Sequence, residues 1–286
     1  MNPRDIIFTA IAAILANKLR SILTVLGIII GVAAVIGVMS IGEGARTQIT
    51  GKIEGLGTNL VFVRPGAAVE KGVKSEQGTA PTLTIEDAAA LTDGTKAPDV
   101  LLVAPEIVGK AARLTLSAGV ENVTTGGRGV TPEYAFVRNL VIEEGRFISE
   151  RDVEAADLVI VLGSTVAEDL FGVTDPIGQM VRGFNNRFNF KVIGVLRASG
   201  GTGFGLSDDF AFLPISTVQY RLQAGRTVKG EYNVSSINVQ AVDSDSIIDA
   251  KEQVASILRE RHQVGEGAED FTVTSQEDLQ ETFSEV

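Results

Sequence analysis

The sequence has no cysteine, no tryptophan, a single histidine (His262) and three tyrosines. Without cysteine there is no disulfide, no thiolate metal site and no thiol nucleophile. One histidine makes a histidine-based metal centre or general base a poor expectation, and a hydrolase triad is not credible. The scarcity of Trp and Tyr leaves little to build stacking platforms for nucleic acid or sugars. Positive charge is also in deficit, with 25 Lys and Arg against 36 Asp and Glu and a net charge of -11. The first 42 residues contribute +2 (Arg4, Lys18 and Arg20 against Asp5), so the rest of the chain carries -13. So acidic a chain is repelled by nucleic acid and by anionic headgroups, which sets both aside as partners of the folded part.

What is present is an ordinary globular balance, 44% apolar and 21% charged, over 286 residues. That length suffices for a membrane element plus one or two domains. The apolar residues are unevenly placed, because no charged residue occurs from Ser21 to Gly42. Ile22 to Ile41 is an uncharged run that spans roughly 30 Å as a helix, the thickness of a bilayer core. The apolar part of a cleaved signal peptide is shorter, about 7–15 residues, and is followed by a small-residue cleavage site. Here the helical pattern continues through Gly42 and Arg46.

Lys18 and Arg20 stand directly before the run, with Arg4 further back, against Arg46 and Lys52 after it. This excess of basic residues is slight, and the proximity of Lys18 and Arg20 sets the expected orientation: N-terminus in the cytoplasm, bulk outside. The stretch from Ile6 to Ala16 would make a helix of about 16 Å, too short to cross, and reads as an interfacial helix on the inner leaflet. Within the run, Gly27 and Gly31, and then Ala33 and Gly37, have the four-residue spacing that lets a second helix approach closely. Glycine is also common in membrane helices, and spacing alone leaves the two explanations equal.

Beyond the run, Ala45, Ile49, Ile53 and Leu56 carry a helical stripe outward as a stalk of about 20 Å, closed at Gly57. Strands are expected at Asn59–Arg64, Val100–Gly109, Ala111–Ser117, Asn122–Thr125, Val137–Val141, Leu158–Leu162, Phe190–Leu196, Asn233–Val242 and Phe271–Thr274. Residues 66–82 read as an exposed loop. Helices are expected after Thr84, from Ser164 to Phe171 and from Ser246 to Arg261. Ser275 to Asp278 is an N-cap pattern opening a helix that runs on to Val286. A β-α-β unit at each end, around 58–115 and 232–274, gives an α+β domain interrupted by a mostly β insertion.

Four clusters invite a chemical reading and decline it. Gly200 to Gly205 lacks the Lys-Ser/Thr of a phosphate loop. Asp208-Asp209 and Glu143-Glu144 are adjacent acids of the kind that are usually solvated. Gly126-Gly127-Arg128-Gly129 reads as a turn, and Ser164 as a helix N-cap.

The run Asn17-Lys18-Leu19-Arg20-Ser21, continuing through Thr24, Gly27 and Gly31, resembles the first membrane helix of the MacB/FtsX family of ABC transporter permeases. Ile41 to Gly44, Leu56 to Leu60 and Val63 to Gly66 follow at that family's spacing. Glu144 to Phe147, Val161 to Gly163, Asp175 to Gly178 and Val192 to Val195 resemble its extracytoplasmic domain. The resemblance implies a porter-like α/β domain (58–115 and 228–275) with an inserted β-rich domain (116–227). Before these come an interfacial segment (1–20) and a membrane helix with stalk (21–57), and after them the start of a second stalk (276–286). It implies an inner-membrane protein that binds no cofactor itself, since ATP is held by a partner ABC ATPase; this chain has no phosphate loop. The further partners it implies are a second permease copy or a homologous permease as dimer partner, the remaining permease helices and a periplasmic adaptor. Three more membrane helices follow this domain in the family, so the chain reads as the N-terminal part of a permease. The alternative from another class is a stand-alone, membrane-anchored binding or sensor module.

Overall fold

The computed structural model describes residues 16, 18–54, 59–70, 73–77, 82–108, 113–184, 186–199, 207–222, 225 and 230–278. The interfacial segment, the Gly57 cap, the Gly200–Gly205 stretch and nearly all of the terminal helix lie outside these residues. The chain divides into two units, residues 1–51 and 52–286.

The first unit is built on one helix, α1 (Lys18–Glu54). Within its first 25 residues, Lys18–Gly42, an 18-residue stretch reaches a mean hydropathy of 2.8 and none of it is buried within the protein, so the helix is long and apolar enough to cross a membrane. It continues without a break as far as Glu54, as the stripe from Ala45 to Ile53 predicts.

The second unit is organised around an 11-stranded sheet. One arm of the sheet runs β4 (Val100–Ile107), β12 (Ser236–Ala241), β1 (Leu60–Pro65) and β13 (Phe271–Ser275), antiparallel throughout. β1 shows why the arm is central. Val61 and Val63 pack on one face and Leu60 and Phe62 on the other, so all four are buried and the strand is a continuous apolar run. The first face is covered by α2 (Ile85–Ala90) and α7 (Ile247–His262), whose Ile247, Val254 and Leu258 supply the helical stripe. The second face is covered by α3 (Glu133–Val137), through Tyr134 and Val137.

The remaining strands close on themselves. β6 (Glu121–Val130) pairs with β5 (Leu114–Ala118), which meets β9 (Met180–Gly183). β9 then pairs with β10 (Phe188–Leu196), β10 with β8 (Val159–Leu162), β8 with β11 (Phe210–Pro214), and β11 again with β6. Six strands thus form a ring filled by Leu114, Leu116, Val181, Phe190, Val192 and Leu213. β7 (Ile142–Gly145) adds to the outside of β10. The β8–β10 and β11–β6 pairs are parallel, so each needs a crossover. α5 (Ser164–Phe171) belongs to the first of these, lying between β8 and β9 in the chain. β6 is shared, because its last residues also pair with β4 and join ring to arm.

Several expectations are corrected. Residues 66–82 hold a hairpin, β2 (Ala67–Glu70) with β3 (Val73–Gln77), where a loop was expected; the two-residue connection between Glu70 and Val73 is hairpin spacing. Of the expected strand at Val137–Val141, Val137 is the last residue of α3 and a turn through Arg138 and Asn139 follows, because Tyr134 and Val137 are buried three residues apart, a helical and not an alternating pattern. Besides the expected helix α5, the mostly β region carries three short helices that were not expected: α3, α4 (Glu150–Glu154) and α6 (Ile215–Tyr220). Gly126 to Gly129 is no turn; it lies within β6 beside β11. There a Cβ on Gly129 would stand 2.7 Å from Val218, so glycine here admits the packing of α6. The N-cap of α5 is Gly163, with Ser164 already in the first turn. Asp208 is buried and accepts hydrogen bonds from the Ser199 N–H and hydroxyl, while Asp209 is exposed.

Candidate functional site

In α1, Gly27 and Gly31 lie one turn apart on one face, and Ala33 and Gly37 on another, rotated from the first by about 120° at 100° per residue. A Cβ at Gly27, Gly31 or Gly37 meets nothing within 4 Å. Ile22, Leu23, Ile28, Ile29, Val38 and Met39 are exposed around them. The helix therefore offers two small-residue seams in a ring of branched side chains. Lys18 and Arg20 form its first turn.

The outer unit carries its polar chemistry at three junctions. The first assembles around Asp87. Thr84 caps α2 with a reciprocal pair: its N–H donates to Asp87 at 2.9 Å and the Asp87 N–H donates to its hydroxyl at 3.2 Å. The same carboxylate receives Arg261 Nε at 2.6 Å and His262 Nε2 at 3.1 Å, both from the last turn of α7, where cations also favour the helix dipole. His262 Nδ1 lies 2.7 Å from Asp270, whose backbone carbonyl accepts from Gly66 N–H and the Thr82 hydroxyl. With a carboxylate on each ring nitrogen, only the imidazolium satisfies both contacts. The Asp87 carboxylate raises the His262 pKa, overcoming the opposing effect of burial, and Asp270 adds to it. Burial pushes Asp87 up, but hydrogen bonds from His262, Arg261 and Thr84 outweigh it and hold the carboxyl well below its usual range. This is a pairing and not a metal site; no metal-holding group of His, Asp and Glu occurs among the described residues.

The second junction ties ring to arm. Glu106 of β4, buried, pairs with Arg128 of β6 and accepts from the Tyr134 hydroxyl at 3.1 Å. Arg128 also lies 4.0 Å over the Phe210 ring of β11. The third holds the turn before α4: Arg146 grips Asp152 with both terminal nitrogens at 2.5 and 2.9 Å, and Ser149 caps the helix through the same carboxylate. The Arg146 bonds, outweighing burial and helped by Ser149, bring Asp152 down to about 2. Of these residues the sequence singled out His262, which it set aside as a base, and Arg128, which it placed in a turn. Asp87 was visible only as a capping acid. Glu143 and Glu144 are exposed, as expected.

Residues 21–257 match the family described as the MacB-like periplasmic core domain. The chain belongs to that family. It is 34% identical over 275 residues to the macrolide export ATP-binding/permease protein MacB of Chlorobium luteolum, covering 96% of this chain and 40% of that protein. It is 36% identical over 277 residues to the protein of the same name from an Azoarcus species, covering 96% and 39%. The chain thus spans about two fifths of the length of these relatives. Its fold is similar to the crystal structure of the periplasmic region of MacB from Actinobacillus actinomycetemcomitans, with a TM-score of 0.64 at 23% identity, covering 82% of this chain and 96% of that one. The extracellular domain of the ABC-type transporter YknZ from Gram-positive bacteria is similar too, with a TM-score of 0.57 at 22% identity, covering 76% and 100%. The resemblance drawn from the motifs therefore holds. The MacB-like domain and the apolar helix together describe a membrane-anchored protein with a mixed α/β extracytoplasmic domain, a component of the ABC permease type.

Proposed function

We propose that this chain supplies the first membrane helix and the extracytoplasmic domain of a MacB/FtsX-type permease, and that partner segments supply the remaining helices and the ATPase. The observation that carries this reading is a single match running from the apolar helix through the outer domain, residues 21–257. ATP is hydrolysed by the partner in the cytoplasm, and the outer domain responds by expelling or releasing substrate on the far side. The chain itself performs no catalysis. In this reading Lys18 and Arg20 hold the N-terminus at the inner surface of the cytoplasmic membrane. Gly27, Gly31, Ala33 and Gly37 seat neighbouring helices, including those of a second permease copy. The β4-β12-β1-β13 arm with α2 and α7 is the porter-like domain, and the six-stranded ring is the inserted domain. An adaptor on the outer side completes the assembly. The relatives are named for macrolide export, so a macrolide is the first cargo to test.

The topology is open to a direct test because the chain has no cysteine. Val173 is fully exposed, so Val173→Cys offers one labelling site. A membrane-impermeant maleimide added outside spheroplasts labels it if the domain is extracytoplasmic. Labelling only after lysis would place the domain inside and end the permease reading.

A further inference from the structure

The acidic surplus of this chain is not spread evenly. Two stretches, 107–120 and 176–207, contain six Lys and Arg (Lys110, Arg113, Arg182, Arg187, Lys191, Arg197) and not one Asp or Glu. Because the chain after residue 42 carries -13 and these stretches carry +6, the remainder carries -19. The fold then brings the two stretches together. They supply β5, β9 and β10, three successive strands of the ring.

Burial alternates along these strands, so their polar residues share the outer face. Leu114, Leu116, Val181 and Phe190 point into the ring, while Thr115, Met180, Arg182, Asn189 and Lys191 are exposed. The register aligns Ser117 with Arg182 and Arg182 with Asn189, and on the next row Met180 with Lys191. Among the described residues none of Arg113, Arg182, Arg187 and Lys191 is in a salt bridge. A cationic face whose charges are in no salt bridge among the described residues therefore stands on an otherwise acidic domain.

We propose that the outer face of β5, β9 and β10 docks an acidic protein surface. Charge complementarity selects an anionic partner, and its surroundings select a protein. Met180 at 54% exposure and Val120 at 90%, the latter in the turn between β5 and β6, set apolar anchors beside the cations, a pairing of Met and Arg that protein interfaces favour. A sugar polymer would call for an exposed aromatic ring, and the exposed Phe136 and Tyr220 are on α3 and α6 instead. An anionic bilayer, broader than this face, would bring its charge within a Debye length of about 8–10 Å of the acidic remainder as well, whereas an acidic protein surface can be confined to the cationic face.

The test uses the full chain in non-ionic detergent with fluorescent poly-L-glutamate as the probe, read by anisotropy. Binding should weaken steeply with salt, and Arg182→Glu with Lys191→Glu should weaken it roughly tenfold or more. Both residues are exposed, so the melting temperature should stay unchanged. Arg151→Glu, an exposed cation on α4, should leave binding intact. Absence of binding at low salt, or equal loss in Arg151→Glu, would overturn the proposal. Tighter binding to sodium polyphosphate or to phosphatidylglycerol vesicles than to poly-L-glutamate would overturn it in favour of a phosphate-bearing partner.

Discussion

Three residues, two glycines and a histidine, report on different parts of the molecule. A Cβ at Gly27 or Gly31 meets nothing within 4 Å, so Gly27→Leu or Gly31→Leu costs the isolated chain no packing. Any loss of cross-linking or co-purification with other permease helices in these variants then measures an external seam; unchanged yields from both would remove it. His262 acts inside the outer domain. Its pKa is raised above the ordinary 6.5, so its contribution to stability is full below about pH 6.5 and fades as pH rises through the folded value. Melting curves of the full chain should show His262→Gln less stable than the parent at pH 6, with the gap narrowing at alkaline pH. Curves that stay parallel across that range would show that the imidazolium is not what joins Asp87 to Asp270. The sequence displayed all three, but only the glycines suggested a role, one of two equal explanations of their spacing along one helix. The partners of His262 are 175 and 8 positions away, and no local pattern links them.

At the level of elements, what is legible follows from how local the determining contacts are. The uncharged run to Ile41, the Thr84–Asp87 box and the Ser275–Asp278 box depend on neighbours within a few residues; the second forms with Ser275 N–H on Asp278 at 2.7 Å and the Asp278 N–H on the Ser275 hydroxyl at 3.1 Å. The α7 stripe is equally local and ends at Gln263, which caps the helix in the left-handed conformation. Gly126 to Gly129 misled because the segment pairs with a strand distant in sequence, β11, and Gly129 answers the close approach of Val218 on α6. That reason makes a prediction. Gly129→Val forces a Cβ into Val218 and should destabilise the domain by about 1–3 kcal/mol through overpacking, seen as a shift in denaturation midpoint. An unchanged midpoint would mean that glycine is not required there. The closed ring itself was illegible, since it depends on β11 returning to β6 across some 80 residues of chain.

For the whole molecule, the sequence disclosed the class before the topology: one apolar helix, an acidic outer part, and motifs resembling MacB/FtsX permeases. What it could not place were the joints. Glu106, Arg128 and Tyr134 couple ring to arm where only two residue pairs of β4 and β6 meet, and the apolar packing on both faces of the sheet runs across that joint. The measurement that tests the central claim most directly is co-purification of the full chain from detergent-solubilised membranes, followed by assay for ATP hydrolysis. A permease component should bring with it an ABC ATPase and the remaining membrane helices, in a complex whose ATPase activity is lost when this chain is removed. Recovery of the intact chain with neither would contradict the permease reading and leave a membrane-anchored domain acting alone.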